Sequence, residues 1–484
     1  MISPKSDDFQ KLFLSVILAT ILAKGVALFP AYSIDDWVQA PRLLNHKQLI
    51  THVLTEGRFG QAFIIYLLEQ INSTLYNIYF LGVGLAIVAI VLFSSLAAQF
   101  LLIEGRWRQF VVAAIIANHP YTVEIFTWKS VAIFYALPLL LISVPLLKQP
   151  RTVSGFIVSS TAIALAISLY QPILSFVLVL VLGRWAAESM RKDKQDEAPA
   201  VAMPLLGASV VGTVLYFVLN KVAQTIFSVS LNSRAALISL DSFGERLERA
   251  AVFYKAYFYG VEIMNPIAIK SILLSIIIVG YLFLLHAAIR RSNRPLDGLK
   301  FVLWQVVLAA GIGLGSLSFL LVLSLWWPVP RMLSHAGLVW GGLLLPALRY
   351  ARHRGLGQSL VILLSFVVLG YVAINNAVLT DQIRLNQRDR LKVNRIATEI
   401  ERLPTYLNIK ELRVVGYEPF YKDGITWVVG EMNTSGFYGR FGIFSEILGI
   451  PVGHGRTEDC AEKPKWPAAG SVFANGSSAI VCLN

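Results

Sequence analysis

The sequence predicts a polytopic α-helical membrane protein with about eleven transmembrane helices and a small C-terminal α/β domain. Of its 484 residues, 56% are hydrophobic and only 15% are charged, whereas soluble domains carry roughly 25% charged residues. Eleven apolar runs follow one another up to residue 376, and the sequence beyond it is polar. We therefore expect a transmembrane domain over residues 1–376 and an α/β domain over residues 377–484.

The apolar runs are close to the length that a membrane crossing requires, about 20 residues. The first run follows Lys5 and Lys11 and could be a signal peptide. However, Phe29-Pro30-Ala31 lacks a small-x-small cleavage pattern, so we expect a retained helix. The runs are 12–29, 75–103, 109–127, 131–147, 153–169, 173–187, 201–219, 267–289, 301–324, 335–348 and 358–376.

Basic residues between the runs predict the orientation, because short cytoplasmic connections are enriched in Lys and Arg. With a cytoplasmic N-terminus, most of these clusters fall inside, and the outer connections hold little beyond Lys129 and Arg331. A break at Tyr170-Gln171-Pro172 is needed to keep the basic residues 184–194 inside. Pro172 favours the same break, since proline removes a helical hydrogen bond.

Three regions are then expected in the periplasm: loops 31–60 and 220–265 and the C-terminal domain. The first loop predicts short interfacial helices that include Trp37, and residues 245–249 of the second are amphipathic. In the C-terminal domain the pattern predicts a helix over 381–403 and strands at 412–417, 426–429 and 479–482. A periplasmic location favours a disulfide between Cys460 and Cys482, with two free thiols as the alternative.

Asp35 and Asp36 follow the first apolar run directly and are the candidate catalytic residues. Because a carboxylate is costly in hydrocarbon, both must lie at or beyond the membrane interface. There, a carboxylate can act as a general base towards a hydroxyl that attacks an activated sugar. Adjacent residues in an extended segment point to opposite sides, so we expect only one to face a substrate. The alternative is a helix cap formed by Ser33 or Asp35.

Further polar groups are expected at the same face of the protein. In Glu56-Gly57-Arg58-Phe59-Gly60 the glycines permit close backbone approach, and the Arg58 guanidinium suits a phosphate oxygen. Other candidates lie at the outer ends of later runs, where such side chains are also common membrane anchors. These are His119, Lys129, Tyr170, Gln171, Trp327, Arg331 and His335.

Motifs of several other site classes are absent from the sequence. There is no Walker-type run, no GxGxxG after a strand, no HExxH and no CxxC. We expect no cofactor and no metal, although His46 and His52 lie near carboxylates and leave a divalent metal as an alternative. The net charge of +13 comes mostly from clusters between apolar runs, where it suits topology and anionic lipids rather than nucleic acid.

The segments Tyr32-Ser33-Ile34-Asp35-Asp36 and Gly57-Arg58-Phe59-Gly60 give the chain a family resemblance. It resembles the phage and bacterial O-antigen glucosyltransferases of the Gtr type, within the GT-C superfamily of polytopic glycosyltransferases. The resemblance covers the membrane portion and not the C-terminal domain. It implies a donor of undecaprenyl-phosphate-linked sugar, usually glucose, and an acceptor hydroxyl on lipopolysaccharide O-antigen, a modification that converts serotype.

Under this resemblance the candidates acquire roles. Asp35 or Asp36 would be the general base, and Arg58, Lys129 and Arg331 would bind the donor phosphate, whose negative charge grows as it leaves. The substrate site would contain His119, Tyr170, Gln171, Trp327 and His335. A transporter or flippase for a lipid-linked sugar is the alternative. Transporters tend to show repeat symmetry and charges near span centres, whereas here the charges lie at the ends and no repeat is visible.

Overall fold

Helices occupy all eleven apolar runs. The structure, a computed structural model, describes residues 6–33, 36–37, 45–191, 197–232, 236–259, 262–291, 295–351, 354–416 and 439–483. Three helices lie between the runs: α2 (His46–Thr55), α3 (Phe59–Gln70) and α11 (Phe243–Tyr259). The helices of the runs are α1 (Asp7–Lys24), α4 (Tyr79–Phe100), α5 (Arg106–Asn118) with α6 (Val123–Thr127), α7 (Ile133–Lys148), α8 (Val153–Leu169), α9 (Ile173–Ser189), α10 (Ala198–Phe227), α12 (Ile267–Arg291), α13 (Pro295–Ser316) with α14 (Ser318–Val322), α15 (Ala336–Leu343) with α16 (Leu345–Tyr350), and α17 (Arg354–Glu401).

Seven helices of the described ranges are long and apolar enough to cross a membrane. The pair α5 and α6, bent by 42°, makes an eighth if it is one span. Along α1, Leu14, Leu18 and Leu22 are largely exposed, which suits contact with lipid rather than water. The helical, membrane-spanning character agrees with the sequence, while the count of eleven stays a prediction. The predicted break is present, because α8 ends at Leu169 and α9 begins at Ile173.

The break between α5 and α6 is held by side chains from distant helices. Pro120 has no N–H, so carbonyl groups at the end of α5 lose helical partners. Lys24 Nζ donates to Ala117 O (2.8 Å) and Asn375 Nδ2 donates to Asn118 O (2.7 Å). These donors lie on α1 and α17. Non-helical backbone inside an apolar domain is tolerated only with such partners, and here they fix α17 beside the break.

A small mixed sheet forms the C-terminal domain, as predicted. Its strands are β1 (Glu411–Val415), β2 (Val452–His454), β3 (Val472–Asn475) and β4 (Ser478–Cys482), in the order β2-β1-β4-β3. β1 is parallel to β2 and β4, and β3 is antiparallel to β4. α18 (Gly439–Leu448) packs against α17 and β2. A disulfide joins Cys460 to Cys482 and so ties the segment before β3 to the end of β4.

The elements of this domain match the predicted ones in part. The strands expected near 412–417 and 479–482 are β1 and β4, while β2 and β3 were not predicted; the stretch 426–429 lies outside the described residues. The helix expected over 381–403 is the second half of α17, which is continuous from Arg354 to Glu401. The predicted division at residue 376 therefore falls inside one helix.

Candidate active site

Asp36 is completely buried and accepts five hydrogen bonds. Its Oδ2 accepts from Ser33 N (2.8 Å), Ser33 Oγ (3.0 Å) and Lys129 N (3.1 Å). Its Oδ1 accepts from Ser130 N (2.8 Å) and Ser130 Oγ (2.6 Å). Two of these donors, Lys129 N and Ser130 N, belong to the first residues of the 3-10 turn Lys129–Val131, which leads into α7. Asp36 therefore caps this turn and fixes the first loop against it.

The other member of the acidic pair, Asp35, lies outside the residues that the structure describes. The sequence left open which aspartate could face a substrate. Both oxygens of Asp36 already accept at least two hydrogen bonds from the protein, so the geometry gives Asp36 an anchoring role. Ser33 Oγ in turn accepts from Asp36 N (3.3 Å), as the capping alternative for Ser33 expected.

The residues on either side of the acidic pair are held by the C-terminal half of the chain. Tyr32 N donates to Asn386 Oδ1 and Asn386 Nδ2 donates to Tyr32 O, both at 2.8 Å. Trp37 is buried in one apolar cluster with Ile396 of α17 and Phe444 of α18. The Trp37 indole ring is therefore part of the C-terminal domain's core, whereas the predicted interfacial position of its segment stays a prediction. This core positions the segment that carries the acidic pair.

Gly442 of α18 provides a direct test of this contact. Its backbone packs so closely against Trp37 that an added Cβ would overlap the Trp37 carbonyl group. We expect Gly442→Ala to lower the free energy of unfolding by about 1–3 kcal/mol, the usual cost of overpacking, although alanine is the better helix former. The measurement is thermal unfolding of the purified protein. Gly453→Ala is the matched control, because a Cβ there would meet no atom within 4 Å. Equal stability of both variants would contradict the contact.

Arg58 lies in a rigid turn between α2 and α3. Gly57 has φ +75°, which glycine adopts without strain, and its carbonyl accepts from Tyr216 OH (3.0 Å). Arg58 Nη1 lies 2.8 Å from Glu56 Oε2, and Arg58 Nε donates to Gln171 Oε1 (3.1 Å). Gln171 Nε2 in turn donates to Glu56 O (2.6 Å). The guanidinium is oriented by these partners and its side chain is still 32% exposed.

Arg331 is the centre of a second group. Its Nη1 donates to Glu124 Oε1 (2.9 Å) and its backbone N donates to Glu124 Oε2 (2.6 Å). The guanidinium lies 4.2 Å from the centre of the Trp128 ring, a cation–π contact. Tyr170 OH donates to Arg331 O (2.5 Å). The Glu124 side chain is 1% exposed and the Arg331 side chain is 21% exposed. The arginine is therefore the accessible member of this ion pair.

Tyr170 connects the two arginines. Burial raises the pKa of its hydroxyl, and the positive charges of Arg331 and Arg58 both oppose that rise. The contacts agree: Tyr170 OH donates to Arg331 O, and the adjacent Gln171 accepts from Arg58 Nε. Through Trp128 and Lys129 the same network continues to Asp36. Residues chosen from five separate stretches of sequence thus lie in one continuous set of contacts, running from Asp36 through Arg331 and Tyr170 to Arg58.

Four other candidates have different surroundings. Lys129 is 1% exposed and its Nζ donates to Ala27 O at the end of the first helix. His119 and His335 are also buried; Nδ1 of His119 accepts from Tyr121 N (3.2 Å), and the ring of His335 packs 5.5 Å from Phe176. Trp327 is 42% exposed. Lys129 and the histidines are thus interior groups, and Trp327 lies at the surface.

Sequence reasoning missed the partners of Arg331 and of Tyr32. Glu124 lies at the end of an apolar run, and nothing local shows that it faces Arg331, 207 residues away. Asn386 lies 354 residues from Tyr32 and gave no signal. Among the described residues no three His, Cys, Asp or Glu side chains lie together as metal ligands. His46 and His52 both lie on α2, with His52 Nε2 3.7 Å from Glu56 Oε1.

Comparison with known proteins agrees with the predicted resemblance. The family model described as glucosyl transferase GtrII matches residues 27–337, which is more than half of the chain. The matched region contains the acidic pair and both arginines of the network. No curated protein and no solved structure matches the chain. The chain belongs to the glucosyl transferase GtrII family of glycosyltransferases.

Proposed function

We propose that the protein transfers glucose from undecaprenyl-phosphate-glucose to a hydroxyl group of lipopolysaccharide O-antigen, at the periplasmic face of the bacterial inner membrane. Membership of a glucosyl transferase family supports the glucosyl group and favours an enzyme over the transporter alternative. The observation that carries the proposal is the pair of oriented, partly exposed guanidinium groups of Arg58 and Arg331, whose residues contact the neighbouring Gln171 and Tyr170 at the ends of apolar helices.

The two arginines suit the phosphate of a lipid-linked donor. A guanidinium offers several N–H donors in a plane that matches phosphate oxygens. Arg58 and Arg331 are each held by a carboxylate, Glu56 and Glu124, and still expose part of their surface. A donor whose tail lies in the bilayer must present its phosphate at the membrane interface. In this proposal Lys129 lies behind the two arginines and not against the phosphate, because its Nζ is buried and donates to Ala27 O.

Asp35 is the proposed general base. The described acidic side chains of the network already have partners: Asp36 holds the turn at Lys129, Glu56 pairs with Arg58, and Glu124 pairs with Arg331. Asp35 comes next to the anchored Asp36 in sequence, so the same anchor holds it at this face of the protein. With Asp36 bound to the turn at Lys129, Asp35 is the member of the pair that we assign to the substrate.

The proposed step is a single displacement at the donor's anomeric carbon. The acceptor hydroxyl oxygen forms a bond to this carbon while the bond from the carbon to the phosphate oxygen breaks. The hydroxyl proton passes to the Asp35 carboxylate, and the phosphate leaves with the bonding electrons. Arg58 and Arg331 stabilise the charge that develops on the phosphate, in a geometry fixed before the reaction. No cofactor takes part in this proposal.

The charge pattern and the disulfide support the orientation. Basic residues between the helices favour a cytoplasmic N-terminus. The Cys460–Cys482 disulfide favours a periplasmic C-terminal domain, because disulfides persist in oxidising compartments. Since Trp37 is buried in that domain's core, the acidic pair belongs on the same side.

A transfer assay tests the proposed function. The purified protein, reconstituted with undecaprenyl-phosphate-[14C]glucose and lipopolysaccharide, should move label to the lipopolysaccharide. UDP-[14C]glucose should give no label in the absence of the lipid-linked donor. Direct use of UDP-glucose would contradict the donor assignment. Movement of the labelled lipid across the bilayer without any transfer would favour the transporter.

A further inference from the structure

An open groove beside the arginine network has no role in the step described above. Its cavity volume is ≈ 410 Å³, within the range of about 300–1,000 Å³ that is usual for small-ligand sites. One wall is a face of α11, and the other is the loop that follows α14. The side chains that matter for its chemistry are Glu245, Glu248, Arg249, Phe253 and Trp326.

The two walls of the groove are fastened to each other. Leu237, ahead of α11, forms an antiparallel bridge with Leu323, after α14. Two backbone hydrogen bonds flank the bridge, from Ile238 N to Val322 O (3.0 Å) and from Ser324 N to Ala236 O (2.8 Å). The guanidinium of Arg246 donates to Ser324 O and lies 5.8 Å from the Trp326 ring centre. The groove is therefore preformed, with Trp326 held in its wall.

The groove is joined to the arginine network on both sides. Along the loop, Trp326 is followed five residues later by Arg331. On the α11 side, the Phe253 ring lies 6.0 Å from Tyr257, whose ring lies 6.0 Å from Tyr121. Tyr121 is three residues before Glu124, the partner of Arg331. A molecule in the groove would thus lie next to the proposed phosphate site.

The lining suits a molecule rich in hydroxyl groups. Glu245 and Arg249 form an exposed pair at 2.5 Å, and Glu248 has neither a hydrogen bond nor an ion pair within the described part of the chain. Such groups accept from and donate to hydroxyls. The flat rings of Phe253 and Trp326 can pack on the C–H faces of a pyranose. The carboxylates of Glu245 and Glu248 would repel a phosphate or an anionic lipid head group. A polyprenyl tail has no hydrogen-bond donors for these carboxylates.

We infer that this groove binds the acceptor saccharide, a neutral polysaccharide chain whose reacting hydroxyl extends towards Arg331. The inference rests on the proposed transferase function and deepens it. Trp326 and Phe253 supply the stacking surface, and Glu248, with the Glu245–Arg249 pair, supplies hydrogen bonds to hydroxyl groups. In this arrangement donor and acceptor approach from opposite sides: the lipid-linked sugar at the arginines, the acceptor along α11.

Binding and transfer, measured on the same variants, test the inference. The probe is water-soluble O-polysaccharide released by mild acid from lipopolysaccharide of the strain that carries this chain. Trp326→Ala and Glu248→Gln should each raise the dissociation constant, measured by calorimetry on the purified full-length protein, at least tenfold. The acceptor KM should rise by the same factor while the donor KM stays unchanged. Trp107→Ala, which alters another exposed tryptophan, should change neither value.

Each outcome separates the inference from the proposed function. Unchanged affinity and acceptor KM in Glu248→Gln, whose side chain is exposed, would overturn the saccharide site even if transfer is normal. If the parent protein binds the polysaccharide in a Trp326-dependent way but transfers nothing, the groove stands and the proposed transfer is wrong. If Trp326→Ala or Glu248→Gln lost binding to vesicles containing undecaprenyl phosphate while still binding the saccharide, the groove would be assigned to lipid instead.

Discussion

Asp36→Asn should lower the free energy of unfolding by about 3 kcal/mol and reduce the amount of folded protein in the membrane. Asparagine keeps one acceptor oxygen but puts an NH2 group in place of the other, facing either the donors of Ser33 and Lys129 or those of Ser130. In both orientations a buried N–H donor is left unpaired. Charge-assisted hydrogen bonds contribute roughly 1.5–3 kcal/mol each. The measurement is the melting temperature of purified protein, together with membrane abundance.

Two variants serve as controls for this result. Ser130→Ala removes only one hydroxyl donor to Asp36 and leaves no buried donor unpaired, so it should cost about 1.5 kcal/mol, the lower end of that range. Asp35→Asn should melt at the same temperature as the parent protein. If Asp36→Asn were as stable as the parent while Asp35→Asn failed to fold, the assignment of the anchoring aspartate would be reversed.

Arg331→Ala should reduce the rate of sugar transfer roughly 100- to 1,000-fold, the usual effect of removing a preorganised electrostatic partner. It should also cost about 3 kcal/mol of stability, because it leaves the buried Glu124 carboxylate without its counter-charge. The bond from Tyr170 OH goes to the backbone carbonyl at position 331 and is retained. Transfer kinetics and thermal unfolding of the same preparation measure both effects.

The double variant Arg331→Ala/Glu124→Gln separates these two effects. Neutralising Glu124 removes the stranded charge, so most of the lost stability should return, whereas transfer should stay as low as in Arg331→Ala. Glu124→Gln alone is the matched single variant that completes the cycle. Recovery of transfer together with stability would mean that Arg331 acts only through folding and does not bind the donor phosphate.

The transmembrane architecture could be predicted because its signals are local. A run of apolar residues specifies a helix through its own composition, and Pro172 specifies a break through its missing N–H. α8 and α9 accordingly flank the predicted break. β2 and β3 were missed because strands of three and four residues carry too little alternation to stand out from a loop.

The site could be predicted only in part. The arginines and Tyr170-Gln171 were selected because helix ends of one orientation share a face, and the structure does bring them together. Their partners could not be predicted, since pairs such as Glu124 with Arg331, or Tyr32 with Asn386, join residues far apart in sequence. The burial of Trp37 in the C-terminal core is of the same kind, because it depends on residues of α17 and α18 that lie hundreds of positions away in sequence.

The central claim is that Asp35 takes the proton while Asp36 holds the loop. The most direct test is the transfer rate of Asp35→Asn, from undecaprenyl-phosphate-glucose to lipopolysaccharide, at membrane abundance equal to that of the parent protein. Removing a general base typically costs about 100- to 10,000-fold. We therefore expect a loss within that range at unchanged melting temperature. Transfer by Asp35→Asn at the parent rate would contradict the claim, and the base would have to be sought elsewhere in the chain.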